Sequence, residues 1–157
     1  MKIKRAAFIA PVTSIEESRV FECLCKEAGI NDLLIFTHGE LRKDVELKET
    51  ARKDALKALS RTQKPEAIIC GGEIATYAVL QAVFSKGLKI PEDIHIISVA
   101  EQDDMQQRLP VPADIIVLSF SALAQEGAEM LHNMLKGKFP KPHIKYIKSN
   151  LLKKAQI

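Results

Sequence analysis

Strand-like and helix-like apolar segments alternate along most of this chain, and that alternation constrains its fold more than any other feature. The strand-like segments are consecutive apolar runs, whereas in the helix-like segments the apolar residues recur every three or four positions. Such alternation favours βαβ units, in which helices cover both faces of a parallel sheet. We therefore predict a three-layer α/β/α fold with a doubly wound, mainly parallel sheet. The predicted elements are strand 6–10, helix 15–28, strand 33–36, helix 48–59, strand 67–70, helix 73–84 and strand 94–99.

A surface loop interrupts the pattern after the fourth predicted strand. Pro110 and Pro112 prevent regular strand pairing, and the residues that precede them are mostly polar. Regular structure is expected to resume beyond this loop, with a serine as helix cap and a glycine as helix stop. The predicted elements are strand 115–118, a helix capped by Ser121 that runs to about Leu135, a stop at Gly137 and strand 144–147.

Composition indicates one domain and no dedicated nucleic-acid surface. With 157 residues, of which 46% are hydrophobic and 27% charged, the chain is long enough to bury a sizeable core. Its formal charge is only +3, because 23 basic and 20 acidic residues are interspersed. The basic stretch 138–154 alternates with apolar residues, which is typical of the solvated face of a strand.

The cysteines and the first apolar run indicate in which cellular compartment the protein resides. Cys23, Cys25 and Cys70 lie in apolar segments and lack the CxxC spacing of a zinc or redox site. We expect buried thiols in a reducing environment, the cytoplasm. The first apolar run, 6–12, is too short to cross a membrane, so no membrane partner is expected.

A glycine, a proline and an acidic pair separate the third predicted helix from the fourth predicted strand. Gly87 suits a left-handed helix C-cap, and Pro91 prevents the helix from continuing. Ile94, Ile96 and Ile97 then favour a buried strand. The order Gly-Leu-Lys-Ile-Pro-Glu-Asp followed by Ile-His-Ile-Ile-Ser-Val resembles the effector-binding domain of LacI/GalR-type transcription regulators.

The resemblance covers nearly the whole chain and implies the later part of a periplasmic-binding-protein-like (type I) domain. In that family two α/β lobes close over a small-molecule effector, and the chain crosses between the lobes three times. Residues 1–157 would form one ligand-binding domain, with 1–112 and 139–157 as the C-terminal lobe. The strand and helix of 113–138 would cross to the N-terminal lobe. A homodimer would bind DNA only through a helix-turn-helix head that is not part of this chain.

Matching the chain to the family's ligand contacts suggests an effector other than a simple sugar. Arg19 lies one position from the family's sugar-binding arginine, and Glu101 lies beside the position of an acidic residue. Gly71 and Gly72 replace an Asn-Asp pair; they expose backbone amides for an anion, or they only make a tight βα turn. Phe120 either stacks on the ligand or belongs to the core. The candidate ligand-binding residues are Ser14, Arg19, Gly71, Gly72, Glu101 and Phe120.

The third predicted helix is apolar on more than one face, so it is expected to bury against the sheet and against a second surface. In the family this helix and the loop after the fourth strand lie at the subunit interface. The alternative is that a neighbouring helix of the same domain covers it. The candidate interface residues are Glu73, Thr76, Tyr77, Leu80 and Arg108.

The sequence predicts no enzyme, metal site or cofactor. Its four histidines lack a metal-ligand spacing, and its serines lack the GxSxG elbow. The alternative function is a stand-alone flavodoxin-like enzyme or phosphotransfer protein. Its site would be the acidic cluster 101–104 at the carboxyl end of a strand, for which a solvated loop is the simpler interpretation.

Overall fold

One six-stranded sheet organises the residues that the computed structural model describes, which are 3–10, 15–38, 44–101, 105–138, 147 and 150–152. The strand order is β2-β1-β3-β4-β5-β6, with β1 to β5 parallel and β6 antiparallel to β5. This confirms the predicted doubly wound, mainly parallel sheet. The elements are β1 (Arg5–Ile9), α1 (Ile15–Glu27), β2 (Asp32–Phe36), α2 (Asp44–Leu59), β3 (Ala67–Cys70), α3 (Glu73–Ser85), β4 (His95–Ala100), α4 (Met105–Arg108), β5 (Asp114–Val117), α5 (Phe120–Leu135) and β6 (Asn150–Leu152).

The main core lies between helices α2 and α3 and one face of the sheet. Alternate strand residues point into this layer, because successive side chains of a strand face opposite sides. Small residues on the two helices allow α2 and α3 to pack closely against each other. The core includes Ile9, Ile68, Ile96 and Ile115 from the strands, Ala51, Ala55 and Ala58 from α2, and Ala78, Val79 and Val83 from α3.

The packing of α2 against α3 corrects part of the predicted dimer interface. Thr76 is 0% exposed and Leu80 is 2% exposed within this chain. Neither side chain therefore presents surface to a second copy, and the prediction that they contact one is wrong. The second apolar surface of α3 is covered by α2, which was the alternative explanation for its composition.

The end of α3 has the predicted geometry. Gly87 adopts φ +68°, the left-handed conformation that glycine tolerates. The amide of Gly87 donates to the carbonyl of Phe84, and that of Leu88 donates to the carbonyl of Val83. These bonds satisfy carbonyls that the last helical turn would otherwise leave unpaired.

The second half of the chain departs from the prediction in three places. A short helix, α4, lies within the predicted loop. β5, which the sequence analysis assigned to the segment that crosses to the N-terminal lobe, pairs with β4 in the same sheet as β1 to β4. Of the predicted last strand, 144–146 lie outside the described residues and Ile147 is not in a strand; the described strand is β6.

The cap of α5 is Ser119, so the prediction of Ser121 is wrong. Ser119 has extended backbone angles, and its side-chain oxygen accepts a hydrogen bond from the amide of Ala122 at 3.2 Å. Ser121 already lies inside the helix, where its hydroxyl is 3.0 Å from that of Ser119. A capping residue must precede the first helical residue, which Ser121 does not.

Replacing the cap should destabilise α5 selectively. We expect Ser119→Ala to lower the free energy of unfolding by about 1 kcal/mol, because one amide of the first turn loses its acceptor. Ser121→Ala is the matched control and should change it by less than about 0.5 kcal/mol. Urea denaturation followed by circular dichroism measures both. A larger loss in the Ser121 variant would contradict the assignment of the cap.

Candidate functional site

A cleft of about 480 Å³ opens at the carboxyl end of the sheet. Parallel sheets place ligands at this edge, because the loops that follow each strand meet there. The cleft is formed by the turn between β3 and α3, the end of β4, and the residues that lead into α5. Its lining residues are Leu47, Gly71, Gly72, Glu73, Ile74, Ala75, Val99, Ala100, Glu101, Arg108, Leu118 and Phe120.

The Gly71-Gly72 turn forms one side of the cleft. The amide of Gly71 donates to the carbonyl of Ile9 at 2.9 Å, so the turn begins in register with the sheet. Gly72 then adopts φ +141° and ψ 166°, a conformation that is essentially restricted to glycine. Gly72 is also the N-cap of α3 and makes no side-chain cap bond. The first turn of α3 therefore reaches the cleft without a capping side chain.

Two buried hydroxyls hold this turn against the sheet. Thr76 Oγ1 donates to the carbonyl oxygen of Gly72 at 2.9 Å and lies 2.7 Å from Ser98 Oγ. Because the hydroxyl proton of Thr76 is directed to Gly72, the Ser98 hydroxyl donates to Thr76. Both side chains are fully buried. The chain of hydroxyls thus links β4 to the start of α3.

Cys70 lies beside this pair at the end of β3. Burial raises the pKa of its thiol to about 12. The thiol is therefore neutral near pH 7, unlike the thiolate that nucleophilic catalysis requires. Cys70 serves as a small packed side chain beneath the cleft.

An ion pair joins the start of α3 to α4 at the cleft. Arg108 Nη2 lies 3.0 Å from Glu73 Oε1, and Arg108 Nη1 lies 3.4 Å from Glu73 Oε2. The two side chains are 41% and 30% exposed, so the pair remains accessible from solvent. Both residues line the cleft, whereas the sequence placed them at a dimer interface.

The structure brings together four of the six predicted ligand-binding residues: Gly71, Gly72, Glu101 and Phe120 all line the cleft. Arg19 is exposed on α1 and is not among the described lining residues. Ser14 lies outside the described residues.

Leu47 was missed by the sequence analysis, because it and Val45 are isolated apolar residues among the charged residues at the start of α2. No local pattern distinguishes such a residue from an ordinary surface leucine. Its place in the cleft follows only from the tertiary packing of α2.

Only Glu101 of the acidic cluster 101–104 is described, and it is exposed at the cleft. Within the described ranges, no three His, Cys, Asp or Glu side chains are grouped as a metal site requires. No helix in the same ranges has both the length and the apolar composition to span a bilayer.

The three cysteines are free thiols. Cys25 and Cys70 are buried as predicted, whereas Cys23 is exposed on α1, so the prediction for it is wrong. The sulfur of Cys23 lies 3.7 Å from Glu27 Oε1, one helical turn further along α1.

The cleft lies outside the carboxyl ends of the strands, which is where doubly wound sheets bind their ligands. The chain belongs to the family of periplasmic binding protein-like domains, whose family model matches residues 2–154. A comparison with curated protein sequences found no match.

Solved structures of LacI-family regulators share this fold. A LacI family transcriptional regulator from Bifidobacterium animalis subsp. lactis has a TM-score of 0.78 and 18% identity over 96% of this chain and 54% of its own. The Lac repressor bound to ONPG has a TM-score of 0.76 and 17% identity, over 96% of this chain and 45% of its own. A LacI family transcriptional regulator from Arthrobacter sp. FB24 in complex with lactose has a TM-score of 0.73 and 19% identity, over 96% of this chain and 57% of its own.

This chain thus spans about half the length of the structures it matches. The resemblance to the C-terminal part of a LacI-type effector-binding domain is confirmed at the level of the fold.

Proposed function

We propose that this chain is the effector-binding and dimerisation portion of a LacI/GalR-type transcription regulator, and not an enzyme. The observation that carries the proposal is the cleft at the carboxyl edge of the sheet, where Gly71, Gly72, Glu101 and Phe120 meet. Structures of the same fold support a small-molecule ligand, since one is bound to ONPG and another is in complex with lactose. The family resemblance by itself implies a sugar or a phosphorylated metabolite as the class of effector.

The geometry suggests how binding would be transmitted. One side of the cleft is the α3 turn at Gly72, and another is the start of α5 at Phe120. A ligand that contacts both favours the arrangement of α5 in which both contacts are made. Its differential affinity for the two arrangements then shifts their populations. In a dimer, that shift would set the spacing of DNA-binding heads that lie outside these residues.

The proposed homodimer uses the exposed part of α3. Of the candidate interface residues, Glu73, Tyr77 and Arg108 retain partial or full exposure in this chain. Glu73 and Arg108 line the cleft and pair with each other there, so Tyr77 is the residue that we propose to contact a second copy. We place the protein in the cytoplasm, with no membrane partner; its three free thiols support a reducing environment.

The mass of the endogenous protein tests this proposal. We expect an antibody against this domain to recover from cells a chain of about twice the 17.5 kDa of these residues, because the matching regulators are about twice as long. Native mass spectrometry of the same sample should then give a dimer of that longer chain. An endogenous chain of 17.5 kDa would contradict the proposed regulator function, and a monomer would contradict the proposed dimer interface.

A further inference from the structure

The described lining of the cleft is apolar apart from three charged side chains and two glycines. The charged residues are Glu73, Glu101 and Arg108. Leu118 and Phe120 are 44% and 51% exposed, an unusual state for large apolar side chains that face a concavity. A ligand with an apolar portion would remove both from water. The lining therefore favours an apolar ligand body with few polar groups.

The ion pair between Arg108 and Glu73 determines which charged groups a ligand needs in order to bind tightly in this cleft. Arg108 and Glu73 already pair through two contacts of 3.0 and 3.4 Å. A singly charged anion that approached Arg108 would also face Glu73, and a singly charged cation would face Arg108. A ligand that carries both charges can replace each partner of the pair with a charge-assisted hydrogen bond. The pair thus discriminates against ligands with a single charge.

Resting on the regulator function proposed above, but replacing the sugar or phosphorylated metabolite that the resemblance implies, we propose that the effector is a small zwitterion with an apolar remainder, an apolar α-amino acid. Its carboxylate binds Arg108, and its ammonium binds Glu73. Its side chain packs against Phe120 and Leu118.

Calorimetric titration of the native full-length protein tests the ligand class. The probes are L-phenylalanine, which carries both charges, 3-phenylpropionate, which lacks the ammonium, 2-phenylethylamine, which lacks the carboxylate, and D-ribose, a neutral polyol. We expect L-phenylalanine to bind about tenfold or more tightly than each of the other three. Tighter binding of D-ribose, or of either singly charged probe, would overturn the inference.

Two variants test the ion pair. Arg108→Gln and Glu73→Gln should each weaken the binding of L-phenylalanine about tenfold, since each removes one charged partner. The matched control is Arg61→Gln, because Arg61 forms an ion pair of similar exposure with Asp32 outside the cleft. An equal loss in the control variant, or no loss at Arg108, would contradict the assignment.

Different outcomes would contradict the proposed regulator function and the proposed amino-acid effector. Absence of binding by all four probes would remove the amino-acid effector and leave the regulator standing on the mass of the endogenous chain. An endogenous chain of 17.5 kDa that still binds L-phenylalanine would keep the ligand class and remove the regulator.

Discussion

Truncation of Ile115 to alanine should lower the free energy of unfolding by about 2–5 kcal/mol. The side chain is 0% exposed and lies in the core cluster, on a strand with neighbours on both sides. Its removal forfeits the transfer of the side chain from water and leaves a cavity that close-packed neighbours fill only in part. Urea denaturation at 25 °C, monitored by circular dichroism, measures the change.

Ile116 is the matched control because it is the next residue of β5 and faces the other side of the sheet, where it is only half-buried. Ile116→Ala should therefore cost less than Ile115→Ala. The conservative Ile115→Val variant should cost about 0.5–1.5 kcal/mol, which would show that the loss scales with the volume removed. An equal cost at the two positions would mean that β5 is not placed in the sheet as described.

Thr76→Val should lower the free energy of unfolding by about 1–3 kcal/mol although it preserves the shape of the side chain. The variant leaves the Ser98 hydroxyl buried without its acceptor, which incurs a desolvation cost that no new bond offsets. The carbonyl of Gly72 still accepts the amide of residue 76, so the cost arises mainly at Ser98. The same urea assay measures it.

Ser98→Ala should cost less than Thr76→Val, because Thr76 keeps its bond to Gly72. The double variant should be less destabilised than the sum of the two single variants, since no hydroxyl is then left unpaired. Strictly additive losses would show that the two hydroxyls do not form the bond described here.

Local sequence patterns predict much of this fold because they follow local physics. The buried isoleucines of β3 and β4 form apolar runs, and Gly87 ends α3 at the residue where its left-handed angles are needed. Gly71 and Gly72 could also be placed at the site, since a βα turn at the end of a parallel strand necessarily reaches the ligand edge of the sheet. In each case the determining contacts lie within a few residues of one another.

The remaining features depend on contacts between distant residues. Glu73 and Arg108 are 35 positions apart, and their pairing depends on where α4 is placed. The covering of α3 depends on α2, whose alanines at 51, 55 and 58 allow close packing although the neighbouring residues of α2 are charged. The burial of Thr76 depends on β4, whose Ser98 hydroxyl it contacts. The choice between Ser119 and Ser121 depends on backbone angles, which residue type alone does not determine.

Val117 pairs with Asn150 across the antiparallel strands β5 and β6, so the segment between them begins and ends at the same place in the sheet. The chain leaves the sheet after Val117 and returns to it at the neighbouring position, so the ends of the excursion are already closed by strand pairing. No side chain of α5 is buried. Since the entropy of closing a loop grows only slowly with its length, the sheet tolerates a longer or shorter excursion at little cost. Evolution could therefore vary the part of this excursion beyond Phe120 in length and sequence, while the sheet and the cleft residues Leu118 and Phe120 stay the same.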